Sequence, residues 1–108
     1  MNLRISDVIK DSTCITVNLD NTDQDDYQHI DITAIFLLAI ESNVQLVVCS
    51  GESTLQAKAI AKLAASLQAS GINVIIDSNY GYDQLLAKSR RSKYIKAMLT
   101  NTNLLRPG

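Results

Sequence analysis

Apolar residues along the chain fall into short runs typical of strands and longer stretches with helical spacing. Residues 14–19 alternate in a β-branched run, whereas residues 44–49 and 72–76 are almost continuously apolar. Continuous runs of this length predict strands of a parallel sheet that is covered on both faces. Residues 3–10 fit a strand or a short helix, and the acid-rich segment 20–29 predicts a loop.

Helical segments separate these predicted strands. Asp31 predicts the N-cap of an apolar helix, and Ser53 predicts the cap of an amphipathic helix over residues 54–69. A last helix is predicted over residues 82–98. The alternation of strand and helix predicts a single α/β domain over residues 1–108. It should have three layers, with a mainly parallel sheet and helices on both faces.

The composition excludes several classes of protein. The chain has 108 residues, 46% of them hydrophobic, with one Pro and four Gly, which argues against disorder and against a turn-rich β-sandwich. The longest apolar run, residues 32–40, is far too short to span a bilayer, and we expect no signal peptide. We therefore expect a cytoplasmic protein without membrane contact. Cys14 and Cys49 lie outside any CxxC or Cys/His cluster, which predicts reduced, buried thiols rather than a zinc site.

The net charge of −1 hides an uneven distribution along the chain. Residues 1–52 hold nine acids and two basic residues, a local charge of −7, whereas residues 53–108 hold eight basic residues and two acids, a local charge of +6. A basic patch of this kind can neutralise phosphates. It can equally be a solvated helix face with cations near a helix C-terminus. The candidate nucleic-acid-binding residues are Lys88, Arg90, Arg91, Lys93 and Lys96.

Acidic residues follow several of the predicted strands. Asp20, Glu52 and Asp77 each lie at or directly after the end of an apolar run, and Glu52 is followed at once by a predicted helix. In open α/β sheets, ligands bind beyond the carboxyl ends of the strands. Helix N-termini there attract anions, and carboxylates can instead hold a divalent metal. This edge of the sheet is therefore the first candidate site.

Some motifs at these strand ends are similar to known nucleophilic sites but lack the required group. The segment from Asn18 to Thr22 is similar to the strand-end motif of haloacid-dehalogenase-type phosphatases, yet Asn18 is an amide and cannot form an aspartyl phosphate. Cys49 precedes Ser50-Gly51 as in a phosphate loop, but Glu52 would repel an anion. We predict that Cys49 is a buried strand residue.

A combination of four motifs resembles the NYN branch of the PIN-like nucleases. Ile30-Asp31 opens an apolar helix, Ser50-Gly51-Glu52 ends an apolar strand, Gly71 begins the next strand, and Tyr94-Ile95 lies in the last helix. The resemblance covers residues 15–96. It implies a PIN-like α/β fold and a divalent-metal-dependent ribonuclease, with Asp31 and Glu52 at acidic positions of the family and Mg²⁺ or Mn²⁺ as its metal.

Other acidic positions of that family are not acidic in this sequence. They fall at Leu37 and Thr54, and the catalytic Asp of the family's first strand has no counterpart. Two-metal hydrolysis needs several converging carboxylates. With Asp31 and Glu52 alone in matching positions, we predict a degenerate relative without a catalytic site, metal or other cofactor. If the protein were an enzyme, Asp20 and Asp77 would have to join these two acids.

The sequence therefore predicts a non-catalytic binding or regulatory module whose partner is RNA, DNA or a protein. The basic C-terminal helix would supply the contacts, and Tyr80 and Tyr82 could stack on bases, whereas Tyr94 fits the inner face of its helix. Two alternatives stay open. One is the ribonuclease, and the other is a protein-directed antagonist that uses the acidic loop 20–31. Exposed sheet edges make a homodimer reasonable.

Overall fold

A computed structural model describes residues 1–21 and 28–107. Its strands and helices follow one another in the order β1 (Asn2–Lys10), β2 (Cys14–Leu19), β3 (Gln28–Asp31), α1 (Ile32–Glu41), β4 (Leu46–Ser50), α2 (Ala57–Ala69), β5 (Asn73–Asp77), α3 (Tyr82–Ser89), α4 (Lys93–Thr100) and β6 (Leu104–Arg106). A short 3₁₀ turn, Ser53–Gln56, leads into α2.

The strands form one six-stranded sheet in the order β3-β1-β2-β4-β5-β6. Strands β2, β4, β5 and β6 pair in parallel, and β1 pairs antiparallel with both β2 and β3. Val17 lies opposite Cys49, which lies opposite Ile76, so the three central strands are in register. The prediction of a mainly parallel α/β sheet is confirmed.

Three parts of the chain differ from the predicted elements. Part of the expected loop is a strand, because Arg4 of β1 pairs with His29 of β3. Residues 3–10, for which the sequence allowed a strand or a short helix, lie in the strand β1. The last predicted helix is two helices. The chain turns between them, and the Ser92 hydroxyl caps α4 by accepting a hydrogen bond from the Ile95 N–H at 3.2 Å. Strand β6 was not predicted at all.

One continuous hydrophobic core joins the sheet to the helices. Helix α2 contacts both α1 and α4, and α4 contacts α3. Residues of alternating positions on the strands supply the sheet side of the core, with α2 and α4 opposite them. Fully buried members include Leu3, Ile15, Val17, Val47, Ile60, Leu67, Ile76 and Met98.

The described helices are short. The longest, α2, has 13 residues, which gives it a length of about 20 Å, whereas a bilayer core is about 30 Å thick. None of the helices in residues 1–21 and 28–107 combines the length and apolar character needed to cross a membrane.

Candidate functional site

The parallel strands β2, β4 and β5 end at the same edge of the sheet, which is where the sequence predicts a site. Gly51 directly follows β4 and has a φ of 109°, a conformation that residues with a side chain rarely adopt. A Cβ on Gly51 would lie 3.3 Å from the Leu19 Cβ and 3.4 Å from the Leu19 carbonyl oxygen. The glycine therefore allows the loop after β4 to pass closely over the end of β2.

The Glu52 carboxylate joins the loop after β4 to the loop after β5. It accepts hydrogen bonds from the Thr54 hydroxyl at 2.7 Å and the Thr54 N–H at 3.2 Å. It also accepts from the Ser78 hydroxyl at 2.9 and 3.0 Å and from the Asn79 N–H at 2.6 Å. Burial on its own would raise the pKa of Glu52, but these donors outweigh it and lower the pKa below its usual value. Glu52 is thus held as a carboxylate by protein donors.

The prediction that Ser53 caps the following helix is wrong. The chain enters a 3₁₀ turn before α2, and the cap lies one residue earlier, on Glu52, whose side chain accepts from the Thr54 N–H. Ser53 is instead completely buried, and its hydroxyl has no hydrogen-bond partner within the described residues. The 3₁₀ turn therefore begins at Ser53, one residue before the predicted helix start, whereas the α-helix itself begins at Ala57, three residues after it.

Asp31, the other acid matched by the family resemblance, lies far from Glu52 across the sheet. Strands β1 and β2 lie between β3 and β4, so the two strand ends are three strand spacings apart, about 14 Å. Asp31 caps α1 as predicted, accepting from the Thr33 N–H at 2.9 Å, and one of its oxygens lies 3.8 Å from the Met1 ammonium. The structure does not bring Asp31 and Glu52 together.

The remaining candidate acids have separate surroundings. Asp77 forms a two-pronged ion pair with Arg106, at 2.5 Å from Nε and 2.8 Å from Nη2. Asp20 directly follows β2, and its N–H donates to the Arg4 carbonyl at 3.0 Å. Among residues 1–21 and 28–107, no three His, Cys, Asp or Glu side chains are grouped so that they could hold a metal ion.

The two cysteines are both free thiols, and only Cys49 is buried. Burial, together with the charge of Asp77, raises the pKa of Cys49 to about 12. A thiol with such a pKa is almost entirely protonated at neutral pH and is a poor nucleophile. The prediction that Cys49 is a buried strand residue is therefore confirmed, whereas the prediction that Cys14 is buried is wrong, because Cys14 is partly exposed.

The five predicted nucleic-acid-binding residues lie on α3, on the turn after it and on α4. All but Lys88 are exposed, and Lys88 stacks its ammonium 4.3 Å from the centroid of the Tyr80 ring. Within the described part of the chain, none of the five forms an ion pair with an acid. The cluster therefore keeps its positive charge available to solvent.

Sequence reasoning missed three residues that extend this cluster. Tyr94 is 38% exposed instead of lying on the inner face of its helix. Its ring centroid lies 5.4 Å from the Lys58 ammonium of α2 and 5.2 Å from the Lys93 ammonium. Lys62 is exposed one turn beyond Lys58 and lines a shallow groove that also includes Tyr94. Helices that follow successive parallel strands tend to be neighbours, a signal that could have linked α2 to α4.

A cleft with a volume of about 620 Å³ lies next to Tyr94. We call it the Tyr94 cleft. The start of β1, the 3₁₀ turn, the first turn of α2 and the start of α4 form its walls, at the edge where the parallel strands end. Its lining residues are Met1, Asn2, Arg4, Thr54, Leu55, Gln56, Ala57, Lys58, Ala59, Ser92 and Tyr94.

The side chain of Gln56 fixes the β1 wall of this cleft. Its amide accepts from the Arg4 N–H at 2.8 Å and donates to the Arg4 carbonyl at 3.0 Å. The same amide nitrogen lies 3.0 Å from the Asn21 side-chain oxygen, and the Asn21 amide donates to the Glu52 carbonyl at 3.2 Å. These hydrogen bonds connect β1 to the loop after β4 and thereby fix one wall of the cleft.

Part of the acidic loop lies outside the described residues. The sequence assigned Asp23, Asp25 and Asp26 to an acidic interaction surface, and these three residues belong to the segment 22–27, outside the described residues.

Comparisons of the whole chain with protein-family models, with curated proteins and with solved structures found no match.

Proposed function

We propose that this protein is a non-catalytic module that binds RNA or DNA through a basic face on α2, α4 and the turn before α4. The observation that carries the proposal is the position of the Tyr94 ring beside Lys58 and Lys93, with both ammonium groups within 5.4 Å of its centroid. The basic face consists of Lys58, Lys62, Arg90, Arg91, Lys93, Tyr94 and Lys96.

The charges of this face support a polyanionic partner. Lys58 and Lys62 are four residues apart on α2, a spacing at which like charges repel and weaken a helix. No acid within the described residues neutralises them. Phosphates of a nucleic-acid backbone would neutralise them and release counterions, which supplies most of the free energy of sequence-independent binding.

The exposed ring of Tyr94 supports a single-stranded ligand. Sequence-independent binders of single strands combine a basic groove with aromatic side chains on which bases stack. Tyr94 and the exposed Tyr82 are aromatic residues of the required kind, and Tyr94 lies inside the basic face. A base stacked on Tyr94 would place its flanking phosphates near Lys58 and Lys93.

Fewer observations support the alternative of a metal-dependent ribonuclease. Its acids would have to converge on a metal, yet Asp31 and Glu52 lie on strands separated by two others, and Glu52 already accepts hydrogen bonds from three residues. The protein-directed antagonist depends on acids of the segment 22–27, which lies outside the described residues. We therefore propose nucleic acid as the partner, not protein.

The proposal also includes three predictions from the sequence, which are helices on both faces of the sheet, a homodimer and a cytoplasmic location. The three-residue strand β6 and the four-residue strand β3 form the two edges of the sheet. Unpaired edges can join two copies of a chain. Light scattering of the purified protein would measure its mass directly.

The proposal is tested by the retardation of single-stranded RNA and DNA at low and at physiological salt. Wild-type protein should bind, and the triple variant Arg90→Glu, Arg91→Glu, Lys93→Glu should lose binding while retaining its circular dichroism spectrum. A single Lys93→Glu variant should bind much more weakly than Lys10→Glu, because Lys10 is an exposed lysine of β1 outside the basic face. Absence of any wild-type retardation at low salt contradicts the proposal.

A further inference from the structure

We propose that the Tyr94 cleft is a binding site for a nucleotide that carries a terminal phosphate monoester. Free nucleoside monophosphates and the 5′-phosphorylated ends of nucleic-acid strands both supply this chemistry. A free nucleotide goes beyond the proposed function, whereas a strand end rests on it. The cleft lies beyond the carboxyl ends of the parallel strands, which is where open α/β sheets bind their ligands.

The size of the cleft fits a ligand of this class. Its volume of about 620 Å³ lies within the range of roughly 300–1,000 Å³ that is typical of small-molecule sites. The Gln56 amide, hydrogen-bonded to the Arg4 backbone at 2.8 and 3.0 Å, holds two of the cleft walls together. Because these hydrogen bonds are made between protein groups and fix the wall of the cleft, little free energy of binding would be lost in ordering that wall.

The charges of the lining residues select an anion. The exposed Lys58 lines the cleft, and no Asp or Glu is among the lining residues that the structure describes. The Ser92 hydroxyl accepts the Ile95 N–H, and its own hydrogen has no acceptor within residues 1–21 and 28–107. It can therefore donate to a phosphate oxygen. Charge-assisted hydrogen bonds of this kind are stronger than neutral ones.

The apolar lining residues select a ligand with a flat ring. The Tyr94 ring and the Leu55 side chain both line the cleft, and Leu55 is 61% exposed. A bare inorganic anion would leave both in water, whereas a nucleobase can stack on Tyr94 and cover Leu55. Phosphate and base together use the polar and the apolar lining residues of the cleft.

The proposal is tested with adenosine monophosphate and the full-length protein, in the absence of nucleic acid. Calorimetry and amide NMR shifts should give saturable binding, with the shifts confined to residues that line the cleft. Lys58→Ala should weaken binding at least about tenfold, as expected when a hydrogen bond to a charged group is removed. Lys10→Ala, at an exposed lysine of β1 that belongs to neither the cleft nor the basic face, should leave binding unchanged. Tyr94→Leu should weaken binding while preserving the thermal unfolding profile.

Further ligands identify the part that is recognised and its source. Adenosine and inorganic phosphate should each bind at least about tenfold more weakly than the monophosphate. A 5′-phosphorylated oligonucleotide that binds more tightly than its 5′-hydroxyl form, with loss of that difference in Lys58→Ala, identifies the strand end as the ligand. Equal binding of the two oligonucleotides, with saturable monophosphate binding, identifies the free nucleotide.

Two results would overturn the proposal. One is the absence of saturable shifts with both the monophosphate and the phosphorylated strand, and the other is equal affinity for adenosine and its monophosphate. Neither result bears on the basic face, because nucleic-acid retardation measures that face separately. Conversely, the triple variant of Arg90, Arg91 and Lys93 should lose retardation of nucleic acid but retain monophosphate binding, because none of these three residues lines the cleft.

Discussion

The Ser78 hydroxyl donates to the Glu52 carboxylate at 2.9–3.0 Å and thereby ties the loop after β5 to the loop after β4. The two residues are 26 positions apart in the chain. Glu52 is the acid that the sequence marks most clearly as a candidate metal ligand, but in the folded protein it acts as a clamp between two loops. Its carboxylate has a stabilising role that does not require a metal.

The clamp predicts a measurable loss of stability when its charge is removed. Glu52→Gln should lower the free energy of unfolding at pH 7 by about 1–3 kcal/mol, because donors arranged for a carboxylate then meet an amide nitrogen. Glu41→Gln, at an exposed position of α1, is the matched control and should change little. Urea denaturation followed by circular dichroism measures both. Equal stabilities of wild type and Glu52→Gln would contradict the clamp.

The same clamp predicts a pH dependence of stability. The pKa of Glu52 is lowered in the folded protein relative to its usual value of 4.5. Its contribution is therefore complete above that usual value and is lost as the pH falls through the lowered, folded value. Wild-type protein should lose more stability than Glu52→Gln when the pH falls from about 5 to about 3. Parallel pH profiles for the two proteins would contradict this prediction.

The buried thiol predicts selective chemical labelling. Because the pKa of Cys49 is raised to about 12 by burial and by Asp77, Cys49 should resist a thiol-reactive dye at pH 8 until the protein unfolds. The partly exposed Cys14 should react in the native state. A Cys14→Ser variant isolates Cys49, and its labelling rate should follow the rate of unfolding in urea. Rapid native labelling of this variant would show that strand β4 is accessible.

Much of the fold could be predicted from the sequence, because buried strands have a characteristic pattern. The run that contains Val47 and the run that contains Val74 are bounded by turn residues, and both are strands. Strand β3 could not be predicted in this way. Its His29 pairs with Arg4 in an edge position where neither face requires an apolar run. Its existence depends on pairing with β1, which local pattern does not reveal.

The candidate site was less predictable, because it depends on contacts between distant segments. The position of Glu52 at a strand end could be predicted, but not the donors Ser78 and Asn79, which belong to another loop. The sequence favoured the inner face of the last helix for Tyr94, which lies one turn before Met98. Met98 is fully buried, but Tyr94 lies against α2, where Lys58 reaches its ring. Helical periodicity identifies the buried face of α4, but it does not show which neighbouring element packs against the edge of that face.

The basic face predicts a specific dependence of nucleic-acid binding on salt. Removing one lysine that neutralises a phosphate should reduce the slope of log affinity against log salt concentration by about 0.7–0.9. Lys58→Ala and Lys62→Ala should each produce this reduction, although neither lysine belongs to the basic cluster found in the sequence. Fluorescence anisotropy with a single-stranded oligonucleotide over about 50–200 mM salt measures the slope. Lys10→Ala should leave it unchanged, and an equal reduction in all three variants would indicate nonspecific charge effects.

The separation of the acids predicts that the isolated protein does not hydrolyse RNA or DNA with Mg²⁺ or Mn²⁺. A two-metal site requires carboxylates around ions about 3.5–4 Å apart. Asp31 lies on β3 at one edge of the sheet, and β1 and β2 separate it from the strand that precedes Glu52. Asp77 is already paired with Arg106.

Incubation of labelled single-stranded RNA and DNA with the protein and Mn²⁺ should therefore leave both substrates intact. Asp31→Asn and Glu52→Gln provide the decisive controls if any cleavage is seen. Cleavage that disappears in either variant would establish the nuclease alternative, since these two acids have no common structural role: one caps α1 and the other joins two loops. Cleavage that persists in both variants would depend on neither of the two family-matched acids and would indicate a contaminating nuclease.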